Sequence, residues 1–152
     1  MRVAVDTNVL VYAEGANDAP TRELGAAVMD LVGRHEFVFP VQVAGELFRV
    51  LRRKMRMTIA QAHAVVTSWQ TLCVHQPGST PETLDAAFRL VAAHGLDIWD
   101  ALIVNAAADA GCRLLLSEDM ADGFVWRGVT IVNPFAPEPH PLLADLLNER
   151  PR

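Results

Sequence analysis

The stretch RVAVDTNVLVYA, residues 2–13, decides the fold. Its apolar run VAV predicts a short strand over residues 2–5, and TNVLVYA predicts a helix over residues 7–13. A strand without polar alternation is typical of a parallel sheet that is buried on both faces. Asp6 lies where this strand ends, and functional sites in such sheets form at the carboxyl ends of the strands.

The rest of the chain repeats this alternation of strand and helix. We predict further strands at residues 37–39, 73–75, 113–116 and 130–132. We predict further helices at residues 20–34, 41–53, 59–72, 81–94, 98–110 and 141–149. This rhythm indicates an α/β fold with a mainly parallel sheet that is covered on both faces. A chain of 152 residues is long enough for one domain with a sizeable core.

Composition excludes several classes of protein. The sequence is 51% hydrophobic and only 20% charged, which excludes a disordered chain. No apolar run approaches the roughly 20 residues that span a membrane. The N-terminal MRVAVD enters a core strand at once, so we expect no signal peptide. Cys73 and Cys112 are isolated from each other, which fits a reduced protein, and we expect the cytoplasm.

The net charge of −5 argues at first against a nucleic-acid partner, but the charge is unevenly distributed. Five basic residues crowd into positions 49–56. Among them Arg49, Arg52 and Arg53 are candidates for contacts with RNA phosphates. The alternative is the solvated end of a helix, where cations complement the helix dipole. Both interpretations stay open.

Four acidic residues follow or open regular segments that would bring them to a common edge. They are Asp6, Glu46, Asp100 and Asp119. Their neighbours are mostly apolar, and a carboxylate against buried apolar surface is costly unless a positive charge compensates it. Oxygen ligands without a nearby His or Cys cluster select Mg²⁺ or Mn²⁺ rather than zinc.

Each of these acids could also have an ordinary structural role. Asp6 could cap the helix that begins at Thr7, although a cap can also bind a metal. Glu46 could pair with Arg49 three residues later, which contributes only about 0.2–0.5 kcal/mol.

The later acids are equally ambiguous taken singly. Asp97 and Asp100 could both serve the positive end of a helix. Asp100 shares a helical face with apolar residues, which points it inward, so Asp97 is an auxiliary candidate. Either Glu118 or Asp119 could be the ligand, because successive side chains point in opposite directions.

A phosphatase with a nucleophilic aspartate is disfavoured, because Asn8 stands where its general acid would be.

Together these segments resemble the PIN-domain family, and in particular the VapC-type toxin ribonucleases of toxin–antitoxin pairs. The segments that carry the resemblance are VAVDTNVLVYA, VAGELFRVLRRK, WDALIVNAAADAGC, LLLSEDMADG and VTIVNPF. They cover residues 1–135 in the expected order. The Pro-rich extension over residues 136–152 lies outside the resemblance, and its role is open.

The resemblance implies a three-layer α/β/α sandwich and a divalent-metal endoribonuclease. It marks Asp6, Glu46, Asp100 and Asp119 as the acidic quartet, with Thr7 and Ser117 as support. It also implies an antitoxin partner and a homodimer. The predicted reaction is hydrolysis of RNA by a water molecule that Mg²⁺ or Mn²⁺ activates. The alternatives are a metal-dependent phosphatase and a catalytically silent binding module with the same fold.

Overall fold

Five short strands form one sheet in the computed structural model, which describes residues 1–148. The strands are β1 (Arg2–Val5), β2 (Glu36–Val38), β3 (Leu114–Leu116), β4 (Val125–Trp126) and β5 (Val129–Val132). Their order across the sheet is β2-β1-β3-β5-β4. All neighbours pair in parallel except β4 and β5, which are antiparallel. The predicted mainly parallel sheet is therefore confirmed.

Seven helices connect or follow these strands within the described residues. They are α1 (Thr7–Ala13), α2 (Ala19–Val32), α3 (Val41–Arg53), α4 (Ile59–Leu72), α5 (Pro81–His94), α6 (Ile98–Asp109) and α7 (Pro141–Asn148). The predicted helices agree with these bounds to within two residues. The predicted end of the last helix, residue 149, lies outside the described residues.

Local sequence signals explain where several helices begin and end. Thr58 caps α4 in a reciprocal capping box with Gln61. Thr80 caps α5, whose first residue is the predicted Pro81. Gly95 ends α5 with φ +71°, a left-handed conformation that glycine adopts without steric penalty.

The central strands are buried on both faces. All three residues of β3, all four of β5 and the last three of β1 are buried. Because successive side chains point to opposite faces of a sheet, burial of consecutive residues requires a cover on each face. The three-layer α/β/α sandwich is thus confirmed.

Register brings the two loops that carry the candidate acids together. Val5 at the end of β1 pairs with Leu116 at the end of β3. The N–H of Asp6 then donates to the carbonyl of Leu116 over 2.8 Å. The segment that begins at Ser117 therefore starts beside Asp6, although 111 residues separate the two positions.

Two details of the sheet differ from the sequence prediction. Residues 73–75 do not form a strand; only His75 makes an isolated bridge to Val38 at the edge of β2. Strand β4 was not predicted, because it contains only two residues and depends on a tight turn. Arg127 and Gly128 form that turn with positive φ angles of 48° and 86°.

The C-terminal helix packs onto the domain. Leu143 and Leu146 of α7 are buried in the main core cluster. The division between residues 1–135 and 136–152 stays a prediction, and residues 149–152 lie outside the described part. None of the helices within residues 1–148 combines the length and apolar character that a membrane crossing requires.

Candidate active site

Asp6 lies at the centre of the candidate site, between β1 and α1. The residue is 7% exposed. One carboxylate oxygen accepts from the N–H of Thr7 over 2.7 Å, and the other accepts from the hydroxyl of Ser117 over 2.8 Å. Asp6 is thus the N-cap of α1, the structural role that its sequence position allowed. Two donors from separate segments hold this carboxylate in one orientation.

Glu46 reaches the same place from α3. The Thr7 hydroxyl donates to one of its oxygens over 3.0 Å, and the Gln42 amide approaches the other over 3.3 Å. Within residues 1–148 Glu46 forms no ion pair with Arg49. The Thr7 hydroxyl therefore supports Glu46, and the backbone N–H of Thr7 supports Asp6.

The loop after β3 separates its two acids. Asp119 accepts a hydrogen bond from the Asn8 side chain over 2.9 Å and faces the site. Glu118 turns to the hydroxyl of Tyr12 instead. This hydrogen bond is the main reason that the pKa of Tyr12 rises to about 12, with smaller contributions from burial and the nearby acids.

Asp97 and Asp100 have different surroundings at the start of α6. Asp97 caps the helix, because its carboxylate accepts from the N–H of Trp99 over 2.8 Å. Asp100 lies in the first turn and is half-buried, and it faces the other acids.

All four predicted acids line one cavity of about 450 Å³, together with Thr7. The other lining residues are Asn8, Val11, Tyr12, Ala16, Asn17, Arg49, Val50 and Lys54. The cavity therefore unites the residue after β1, helix α1 and the loop that follows it, α3, α6 and the loop after β3. Ser117 lies behind it and contacts Asp6.

The electrostatics of the cavity favour a cation. Burial raises the pKa of Asp6 above its usual value, and the charges of Glu46 and Asp119 raise it further, while hydrogen bonds from Ser117 and Thr7 oppose the shift. Burial and four neighbouring acids, Asp6 first, raise the pKa of Asp100 to about 6. Within residues 1–148 no arginine or lysine forms an ion pair with any acid of the quartet. The carboxylates repel each other without a fixed counterion.

The donor set fits a hard divalent ion. It consists of carboxylate oxygens, with no thiolate or imidazole among the residues that line the cavity. The Oδ1 atom of Asn8 is buried and has no hydrogen-bond partner among residues 1–148. In the part of the chain that the structure describes, no three acidic, His or Cys side chains already stand close enough to enclose an ion. Uncharged donors instead hold Asp6, Glu46 and Asp119 individually, so side-chain movement is needed for the set to close on an ion.

The basic residues divide into two groups. Arg49 and Lys54 line the cavity. Arg52 donates to the carbonyl of Met57 over 2.6 Å and is exposed, as is Arg53, and neither lines the cavity. Sequence reasoning missed Tyr12 and Asn8 as parts of the site, and it placed Lys54 only within the basic run at positions 49–56. The helical spacing of residues 8 and 12, one turn apart after Asp6, was the available signal for two of them.

Comparisons with known proteins identify the family of the chain. The sequence profile of the PIN domain matches residues 3–121, so the chain belongs to the PIN-domain family. It is 30% identical over 122 residues to Ribonuclease VapC7 of Mycobacterium tuberculosis, a match that covers 78% of this chain and 83% of that relative.

Solved structures of other proteins, one of them a toxin, share the fold. VapC20 of Mycobacterium tuberculosis, a toxin that cleaves the sarcin–ricin loop, matches 74% of this chain and 86% of its own, with a TM-score of 0.60 and 16% identity. VapBC2 of Rickettsia felis, bound to a promoter DNA fragment, matches 78% of this chain and 89% of its own, with a TM-score of 0.58 and 16% identity. FitAcB of Neisseria gonorrhoeae matches 88% of this chain and 98% of its own, with a TM-score of 0.54 and 15% identity.

Proposed function

We propose that this protein is a divalent-metal-dependent endoribonuclease and the toxin of a toxin–antitoxin pair. The observation that carries the proposal is the convergence of four carboxylates from four separated segments on one cavity, with no arginine or lysine of residues 1–148 paired to them. Membership of the PIN-domain family and the similarity to a VapC ribonuclease support it.

In this proposal Asp6, Glu46, Asp100 and Asp119 are the ligands of one or more Mg²⁺ or Mn²⁺ ions. When bound there, such an ion would supply a water molecule of lowered pKa and would neutralise negative charge on the phosphate oxygens. Carboxylate and water oxygens are the ligands that these ions prefer.

Neighbouring side chains orient the ligands. Ser117 and the N–H of Thr7 fix the two oxygens of Asp6. The Thr7 hydroxyl fixes one oxygen of Glu46, and Asn8 fixes one oxygen of Asp119. Such supporting hydrogen bonds around metal ligands change metal affinity or activity by about 10- to 100-fold when they are removed.

The basic residues are assigned to the RNA backbone. Arg49 and Lys54 lie on the cavity wall, where a phosphate next to the acids would need cationic partners. Arg52 and Arg53 extend the positive surface along the end of α3. Asp97 acts indirectly, since it caps α6 and its charge raises the pKa of Asp100.

The proposed partners are RNA, a cognate antitoxin and a second copy of the chain. Two of the structural neighbours support this proposal: VapC20 is named as a toxin, and VapBC2 is bound to a DNA fragment from its own promoter. An antitoxin that covered the acidic cavity would exclude RNA and so inhibit cleavage. We place this activity in the cytoplasm, where the RNA substrate is.

The test is cleavage of labelled single-stranded RNA with Mg²⁺, with Mn²⁺ and with EDTA. The native chain should cleave only with metal, and Asp6→Asn should reduce the rate at least about 100-fold, beyond the effect of losing a supporting group. Asp85→Asn, an exposed aspartate on α5, is the control and should cleave normally. A phosphomonoester should not be hydrolysed. Cleavage in EDTA, or by Asp6→Asn at the native rate, would refute the proposal.

A further inference from the structure

A second cavity adjoins the carboxylate cavity, and the two share one wall. Of the proposed metal ligands, only Glu46 lines the second cavity. This cavity has a volume of about 340 Å³ and is lined by Gln42, Gly45, Glu46, Arg49 and Trp99. Glu46 and Arg49 line both cavities. A group bound in the second cavity would therefore lie directly beside the phosphate that is cleaved.

Trp99 differs from the other two tryptophans of the chain. Trp69 and Trp126 donate their indole N–H groups to Glu14 over 2.8 Å and to Asn105 over 3.1 Å, and each packs against another aromatic ring. Within residues 1–148 the Trp99 indole makes neither kind of contact, and the residue is 59% exposed. Its aromatic surface is thus open to an external partner.

The backbone of Trp99 is nevertheless fixed on both sides. Its N–H donates to Asp97 over 2.8 Å, and its carbonyl accepts from the Gln42 amide over 3.1 Å. The same Gln42 amide group also approaches Glu46. One side chain therefore links the position of the exposed indole to a carboxylate of the proposed catalytic set.

Gly45 leaves part of the lining of this second cavity without a side chain. It lies in the interior of α3, where glycine is less favourable than alanine. A Cβ at this position would meet no atom within 4 Å, so no packing in the described chain requires the glycine. The absence of a side chain here keeps the cavity accessible.

We propose that this second cavity is a nucleobase subsite, in which an unpaired base flanking the scissile phosphate stacks on Trp99. The inference rests on the proposed ribonuclease function. Arg49 stands between the two cavities and is placed to contact the intervening phosphate, which gives the charge complementarity that RNA requires. An aromatic platform beside a cation is the usual arrangement for single-stranded RNA. The substrate class is thus unpaired RNA rather than a duplex.

The test is abasic scanning of a short single-stranded RNA with the full chain and Mg²⁺. For the native chain, removal of the base at one position beside the cleavage site should lower kcat/KM by about 5- to 150-fold, the range expected for one base–aromatic stack. Trp99→Ala should show the same loss on intact RNA, and the abasic change should then have no further effect. Trp99→Phe should recover part of the loss.

Two controls distinguish base stacking from a general loss of structure or of metal binding. Gly45→Leu should fill the cavity and raise KM, whereas Gly78→Leu, which also enters open space, should not. Binding of Mn²⁺ by Trp99→Ala should match the native chain. If the native chain cleaves RNA but Trp99→Ala does so with unchanged kcat/KM, the subsite is refuted while the ribonuclease function stands.

A protein partner at this surface is the competing outcome. If Trp99→Ala changes the oligomeric state of the chain and leaves kcat/KM unchanged, Trp99 contacts a second copy and the base subsite is wrong. If the native chain cleaves no RNA with either metal, both proposals fail.

Discussion

Removing the charge of Asp100 should stabilise the metal-free protein at neutral and alkaline pH. The pKa of Asp100 rises from 3.8 to about 6 in the folded state, through burial first and then through the neighbouring acids. A carboxyl group with a raised pKa favours folding when protonated. Its contribution is complete below pH 3.8 and is lost as the pH rises through about 6.

The size of the effect follows from that shift. A shift from 3.8 to about 6 corresponds to about 3 kcal/mol at full strength. Because Asp100 is only half-buried, solvent screening reduces this to about 1.5 kcal/mol. Loss of a negative charge from the first turn of α6 lowers the free energy of unfolding by about 0.5 kcal/mol, because that charge interacts favourably with the helix dipole. The free energy of unfolding of Asp100→Asn should therefore exceed that of the native chain by about 1 kcal/mol at pH 8, or its Tm by about 2–4 °C.

The assay is thermal or urea unfolding of the native chain and Asp100→Asn in EDTA, at pH 4 and pH 8. The variant should be more stable at pH 8 and lose this advantage at pH 4. Millimolar Mg²⁺ should reverse the order, because the ion binds the folded native chain better. Asp85→Asn, an exposed aspartate on α5, should show neither effect. Equal stability of Asp100→Asn and the native chain at pH 8 would refute the electrostatic argument.

Two substitutions and one product analysis test other parts of the structure and the proposed reaction. Ser117→Ala removes a hydrogen-bond donor to Asp6 and should weaken Mn²⁺ binding about 10- to 100-fold, as measured by titration calorimetry. An unchanged affinity would contradict the supporting role of Ser117. Leu146→Ala should lower the free energy of unfolding by about 2–5 kcal/mol in urea, and a loss below about 1 kcal/mol would mean that α7 adds little to the core. Hydrolysis by water should leave 5′-phosphate and 3′-hydroxyl ends, whereas 2′,3′-cyclic phosphates would indicate attack by the ribose.

The sequence predicted the fold well because its strongest signals are local. The apolar runs VAV and LLL predicted buried strands, and Thr58 and Thr80 cap two helices that begin where the sequence predicts them. The short strand β4 was not predicted, since two residues carry no periodicity. Residues 73–75 looked like a strand, but only His75 pairs with the sheet.

The site was harder to predict than the fold, because its contacts join distant positions. The strand ends predicted that Asp6 and the loop after β3 would meet. The choice between Glu118 and Asp119 depended on the path of that loop, and on Tyr12 as a partner for Glu118. The contact from Gln42 to Trp99 spans 57 residues and has no local signal.

The central claim is that the four acids jointly hold a divalent ion. A crystal of the protein soaked in Mn²⁺ would test it through the anomalous signal of the metal. The account predicts a peak in the 450 Å³ cavity, at coordination distance from Asp6 and at least one more acid of the quartet, and no such peak for Asp6→Asn. A native crystal with no manganese in that cavity, or with manganese bound only elsewhere, would contradict it.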